Sequence, residues 1–103
     1  MDLKGKQLTI IKHYGVDKQL DLLIEECAEL IQAICKFKRS KMTMKGFEMN
    51  YAIAEEIADV ENVIEQFKLN QPEMVNLIDS IKDNKTNRQM HRIEKEGRTD
   101  VQS

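Results

Sequence analysis

Apolar residues recur at steps of three and four through most of this chain, and the elements they predict are helices. Leu20, Leu23, Ile24, Cys27, Leu30, Ile31 and Ile34 follow one another at that spacing, which is the signature of one face of an amphipathic helix. They predict a helix over residues 18–37, with Asp17 placed to cap it. Tyr14-Gly15-Val16 separates it from a shorter helix over 4–13 that carries Leu8 and Ile11. Ile53, Ile57, Val60, Ile64 and Phe67 predict a third helix, which begins at Phe47 or Tyr51 and ends at Leu69. Between the second and third helices, residues 38–49 are polar and basic and contain Gly46, so they read as a loop or frayed turn; Thr43 can cap a short start to the next helix.

Asn70-Gln71-Pro72 marks the next boundary, because Pro suits the first turn of a helix and Asn70 can cap it. The fourth helix carries Met74, Leu77, Ile78 and Ile81 and is expected to run to Glu96, with Gly97 as its stop. Residues 98–103 read as a disordered tail, which leaves a single domain over 1–97. Four helices with short connections predict an all-α, four-helix bundle-like architecture. The Leu, Ile and Met stripes are expected to form its core.

Composition adds limits to this picture. A chain of 103 residues fits one small domain with a thin core, so assembly into an oligomer is expected to supplement it. Apolar residues on several faces of the second and third helices, among them Ala28, Cys35 and Val63, point the same way, to a homodimer or homotetramer. Charged residues make up 33% and aromatics 5%, without Trp; that balance fits a solvated helical protein better than a sandwich or barrel. A net charge of −2 argues against nucleic acid as a general partner. Cys27 and Cys35 would lie about 12 Å apart along one helix, too far for a disulfide, and free thiols suit a reducing compartment. With no apolar run like a signal peptide near the start and none long enough to span a membrane, a cytoplasmic location without a membrane partner is expected.

The candidate chemistry lies in two matched runs of acids. The second helix contains Glu25-Glu26-Cys27-Ala28-Glu29 and the third Glu55-Glu56-Ile57-Ala58-Asp59. In each, two carboxylates three residues apart share a helix flank and can converge on one cation. At about 100° per residue, Glu26 and Glu29 fall about 100° and 160° from Cys27, the centre of the apolar stripe. Glu56 and Asp59 fall about 40° and 100° from Val60, so Glu56 lies nearly inside the apolar face. Two such rows facing each other would repel unless a cation joined them. Oxygen donors without His or Cys select a hard ion, chiefly Mg²⁺ with Mn²⁺ as substitute. A di-iron bundle fits poorly, because neither His13 nor His91 follows a Glu by three residues. Glu25, Glu55, Glu61 and Glu65 read as solvated surface acids.

These residues resemble the MazG-like all-α nucleoside triphosphate pyrophosphohydrolases. The pattern is Glu-Glu-x-x-Glu, a spacer, then Glu-x-x-Asp, supported by Tyr14-Gly15, Gln19-Leu20 and Glu29-Leu30-Ile31-Gln32-Ala33-Ile34. The resemblance covers residues 7–93. It implies a MazG-type fold with helices paired between chains, a metal held by Glu26, Glu29, Glu56 and Asp59, and cleavage of a nucleoside triphosphate to the monophosphate and pyrophosphate. Glu25 or Glu29 can accept the proton of the attacking water. The fourth segment, with Lys85, Arg88 and Arg92, resembles the family's basic helix and is expected to hold the phosphate tail, provided the polar stretch 82–87 stays helical. Lys36, Lys38 and Arg39 are the alternative cations. Tyr14, Phe47 and Tyr51 are the candidates for stacking on a base. Two rival readings are hydrolysis of another phosphoanhydride, such as a phosphoribosyl-ATP, and a non-catalytic helical interaction protein.

Overall fold

Short side-chain and backbone caps decide where the helices begin and end. Asp2 accepts the Gly5 N–H at 2.8 Å and so starts the first helix. Gly15 ends it with φ +84°, its N–H donating to the Ile11 carbonyl at 2.8 Å. Any Cβ at that position would be strained by roughly 1–3 kcal/mol. The computed structural model describes the backbone of residues 1–39 and 46–102 and the side chains of residues 1–39 and 51–97. Within them the chain is all-helical: α1 (Leu3–Tyr14), α2 (Val16–Arg39), α3 (Gly46–Asn70) and α4 (Glu73–Gln102). No strand occurs among the described residues.

The boundaries shift from those the sequence predicts, for local reasons. The Gln19 N–H donates to the Gly15 carbonyl at 3.1 Å, so α2 starts directly after the glycine. Asp17 therefore sits in its first turn, where the helix dipole favours a carboxylate, and is not the cap. Gly46 opens α3, so the last part of the expected loop is helical; Thr43 lies outside the described residues. Asn70 closes α3 and does not cap the next helix. The start of α4 is instead a tight turn, in which the Met74 and Val75 N–H groups donate to the carbonyls of Gln71 and Pro72. The polar stretch 82–87 stays helical, and the Thr86 hydroxyl finds a local acceptor in the Lys82 carbonyl at 2.8 Å. The helix also passes Gly97, its expected stop, and runs on to Gln102; one interior glycine costs only about 1 kcal/mol.

The chain divides into two compact units, Met1–Asn70 and Gln71–Ser103. In the first, α2 packs most extensively on α3, and α1 packs mainly on α3. Ile11 and Val63 are its buried apolar side chains among the described residues, joined by three buried glutamines, Gln7, Gln19 and Gln66. Gln7 Nε2 donates to Asn62 Oδ1 at 3.2 Å and links α1 to α3. Val63, expected to support assembly, is thus core. The second unit is α4, whose Leu77, Ile81, Met90 and Ile93 are exposed.

The packed face of α2 differs from the expected one. Gln19, Leu23, Glu26, Leu30, Ala33 and Phe37 are buried or half-buried, at steps of four and three. The packed face therefore centres on Glu26, about 100° around the helix from Cys27. Leu20, Ile24, Ile31 and Ile34, expected in the core, are exposed, Ile24 by 71% and Ile31 by 60%. The physical reason is that α2 is apolar over a wide arc. Its contact with α3 uses one edge of that arc and leaves the other to solvent.

Candidate metal site

Because Glu26 stands in the middle of the packed face of α2, its neighbour one turn on, Glu29, also turns toward α3. There α3 presents Glu56 and Asp59, likewise half-buried. One carboxylate oxygen from each of Glu26, Glu29, Glu56 and Asp59 lies within 4.8 Å of the others. The four acids singled out from the sequence are brought together as a set, and the set can hold a metal ion. Glu25 is exposed and stands outside it.

The electrostatics of the set are unfavourable without a cation. Glu26 Oε2 and Glu56 Oε2 are out of solvent contact and have no hydrogen-bond partner. An acceptor left in that state is unfavourable, more so when charged. Burial pushes the Glu26 carboxyl up to about 6, and the neighbouring charges of Glu29 and Asp59 add to the shift. Glu56 is raised for the same reasons, burial first and then Glu29 and Asp59. A divalent ion would remove both the repulsion and the unpartnered oxygens, and a set made only of carboxylates suits a hard cation.

A cavity of about 820 Å³ opens beside the set, with Glu29 and Glu56 in its wall. Lys36 and Arg39 from the end of α2 line the same cavity. Their phase explains this: Glu29, Gln32 and Lys36 step along one face of α2 by three and four. Of the alternative cations that the sequence offers, Lys36 and Arg39 thus line the cavity beside the acids. Lys85, Arg88 and Arg92 share one face of α4, where with Gln89 they line a depression of about 250 Å³; all three are exposed.

A second cavity in the first unit, of about 460 Å³, is lined by Tyr14, Lys18, Gln19, Asp21, Leu22 and Glu25. Gln19 is 1% exposed, and neither its Nε2 nor its Oε1 has a hydrogen-bond partner. In the sequence Gln19 belongs to the Gln19-Leu20 pair of the resemblance and stands seven residues before Glu26, which puts both on the same face of α2. Tyr14 is half exposed, packed edge-to-face on His13 with ring centroids 4.7 Å apart. Lys18 Nζ lies 5.1 Å from the Tyr14 ring centroid. Of the other stacking candidates, Tyr51 is exposed and the Phe47 side chain lies outside the described residues.

Cys27 and Cys35 are free and half-buried. No helix among the described residues is long and apolar enough to cross a membrane. No family model, no curated protein and no solved structure matches this chain.

Proposed function

We propose that this chain hydrolyses a nucleoside triphosphate to the monophosphate and pyrophosphate, with Mg²⁺ held by Glu26, Glu29, Glu56 and Asp59. One observation carries the reading. Four carboxylates converge within 4.8 Å on a packed helix interface, and two of their oxygens are left without partners. A fold that needed only stability would not retain such a cluster, since like charges brought together at low solvation are costly. The MazG-like resemblance of the same acids supplies the reaction class.

The bound ion supplies charge neutralisation to the phosphate oxygens. The chain's own residues do the remainder. Glu25 is adjacent to the ligand set but outside it, so its carboxylate is available to accept the proton of the attacking water; Glu29 is the alternative acceptor. Lys36 and Arg39 hold the phosphate tail in the cavity they share with Glu29 and Glu56. Arg offers forked donors and Lys a mobile ammonium for this. The row Lys85, Arg88 and Arg92 on α4 is the rival for that role.

Two copies of the chain, or an even multiple, complete the assembly. Leu20, Ile24, Cys27, Ile31 and Ile34 step by four and three along α2, the spacing of a helix seam. Four of the five are exposed apolar residues. A contiguous apolar stripe of this kind is characteristic of an interface.

Release of pyrophosphate from a panel of nucleoside triphosphates, with a phosphoribosyl-ATP included, tests the reading. Metal-dependent pyrophosphate from at least one nucleoside triphosphate is expected. Cleavage of the phosphoribosyl compound alone would move the chain to the rival substrate class. Turnover that persists in excess chelator would end the metal assignment, and no turnover on any member would favour a non-catalytic helical protein.

A further inference from the structure

The apolar edge of α2 that packing leaves to solvent is close to a palindrome. Leu20 and Ile34 each stand seven residues from Cys27, Ile24 stands three before it and Ile31 four after it. The order continues into charge, with Asp17 ten residues before Cys27 and Lys38 eleven after it. At about 100° per residue, all seven fall within an arc of about 100° on the helix. Leu20, Ile24, Ile31 and Ile34 are exposed, as are Asp17 and Lys38 at the two ends. Cys27, at the middle, is half-buried.

Such a stripe can meet its own copy about a two-fold axis in two ways. In a parallel pair every residue lies opposite itself, so the two Asp17 carboxylates face each other, and so do the two Lys38 ammonium groups. In an antiparallel pair Cys27 meets Cys27 at the axis, Ile24 meets Ile31, Leu20 meets Ile34 and Asp17 meets Lys38. Apolar residues then stay against apolar residues, and both ends of the seam carry opposite charges. Like charges opposed at a seam end select against the wrong orientation. The antiparallel pair also sets the two helix dipoles head to tail. A small side chain at its centre lets the helices approach closely. The stripe complements itself at every position, which a surface built for an unrelated partner has no reason to do.

We infer that this edge of α2 is a homotypic seam, which pairs antiparallel with the same edge of a second copy and has its two-fold axis beside Cys27. The inference rests on the paired assembly proposed above and deepens it by fixing partner, direction and register. It makes no use of the carboxylate cluster, so its outcome is separate from that of the hydrolysis reading.

The two native thiols report the direction. In the antiparallel seam Cys27 faces its copy. Cys35 instead faces a position near Leu20, roughly 23 Å of helix rise from the other Cys35, which a disulfide cannot span. In a parallel seam both thiols face their copies. Diamide takes two electrons and two protons from a pair of thiols, forming the S–S bond and leaving a hydrazine. Cys35→Ser, which keeps Cys27, should therefore give a disulfide-linked dimer at twice 12.0 kDa, reversed by reductant, and Cys27→Ser should give none. Sedimentation equilibrium of the reduced chain reads the charges. Asp17→Lys should weaken dimerisation by about tenfold, since two like pairs replace two opposite ones. Adding Lys38→Asp should return it to within about threefold of native, although each change opposes the helix dipole. Cross-linking through Cys35, or a doubly reversed chain no tighter than Asp17→Lys alone, would overturn the antiparallel direction. A chain that sediments as a dimer yet forms no disulfide through Cys27 would move the interface off this edge. A chain that sediments at 12.0 kDa would remove the seam and the paired assembly together, with pyrophosphate release left to judge hydrolysis.

Discussion

Two charged regions of this molecule are built on opposite terms. On the α2–α3 pair, four acids are brought within 4.8 Å of one another on half-buried faces. On α4, Lys85, Arg88 and Arg92 line up along a helix by spacing alone, fully in solvent. Exposed cations on a helix are cheap, because water solvates each one and salt screens their mutual repulsion. Converged, half-buried carboxylates are costly, and Glu26 and Glu56 are pushed up by burial and by their neighbours. The difference shows which charge cluster demands an explanation. The acidic set carries a cost that a proton or a bound cation would relieve, whereas the basic row is stable as a solvated helix face.

The comparison is broken most directly at Glu56. Glu56→Gln keeps the shape of the side chain and removes one of four like charges. Pyrophosphate release should fall by at least about a hundredfold, as losing a metal ligand costs no less than losing its supporting groups. Thermal stability of the metal-free protein should hold or rise, because the substitution relieves repulsion. A Glu56→Gln protein with native turnover would show that the acidic set is not the metal site.

The two cation groups can then be set against each other. Combined Lys36→Ala and Arg39→Ala should lower kcat/KM by about tenfold, roughly 1.4 kcal/mol, with little change in melting temperature. Combined Lys85→Ala and Arg88→Ala should change it by less than about threefold if the α4 row is only solvated. The reverse ranking would move the phosphate tail to α4.

Much of the fold was legible before the structure, and the exceptions have a common cause. The stripes that predicted helices depend on which positions are apolar, and local periodicity carries that fully. Which side of a helix faces a neighbour is a tertiary question. On α2 it was ambiguous, because Leu23, Leu30 and Phe37 lie toward one edge of the apolar arc and Leu20, Ile24 and Ile31 toward the other. Counting hydrophobes centred the face on Cys27; packing centres it on Glu26. The acids were found anyway, because their matched spacing stood out from chance. Gln19 enters the sequence only through the Gln19-Leu20 pair of the resemblance, and its burial is a tertiary fact that spacing does not carry.

The apolar edge that packing leaves free gives the next prediction. Sedimentation should return at least twice the chain mass of 12.0 kDa at micromolar concentration. Ile24→Glu with Ile31→Glu should return the monomer mass, because neither side chain supports the single-chain core. A native protein that sediments at 12.0 kDa would instead leave the stripe as an unpaired surface.

The smallest expected effect is on the pH dependence of stability, and its direction follows from Glu26. The folded chain raises this carboxyl from 4.5 to about 6, so the folded state holds a proton that the unfolded state has already released. Below pH 4.5 both states are protonated and the group costs nothing. As pH rises through the interval from 4.5 to about 6 the folded state must give up the proton against burial and against Glu29 and Asp59, and stability falls. Glu56, raised by the same causes, adds a loss of the same sign. The metal-free protein should therefore melt at a lower temperature at pH 7.5 than at pH 5. Magnesium should reverse the trend, since it binds the ionised carboxylates and competes with protons for them. Its stabilising increment should be larger at pH 7.5 than at pH 5, and Glu26→Gln should flatten the metal-free profile across this interval. If the metal-free melting temperature instead rose from pH 5 to pH 7.5, while Glu26→Gln left the profile unchanged, the carboxylates would be ordinary solvated acids. The contrast with the α4 cations would then disappear.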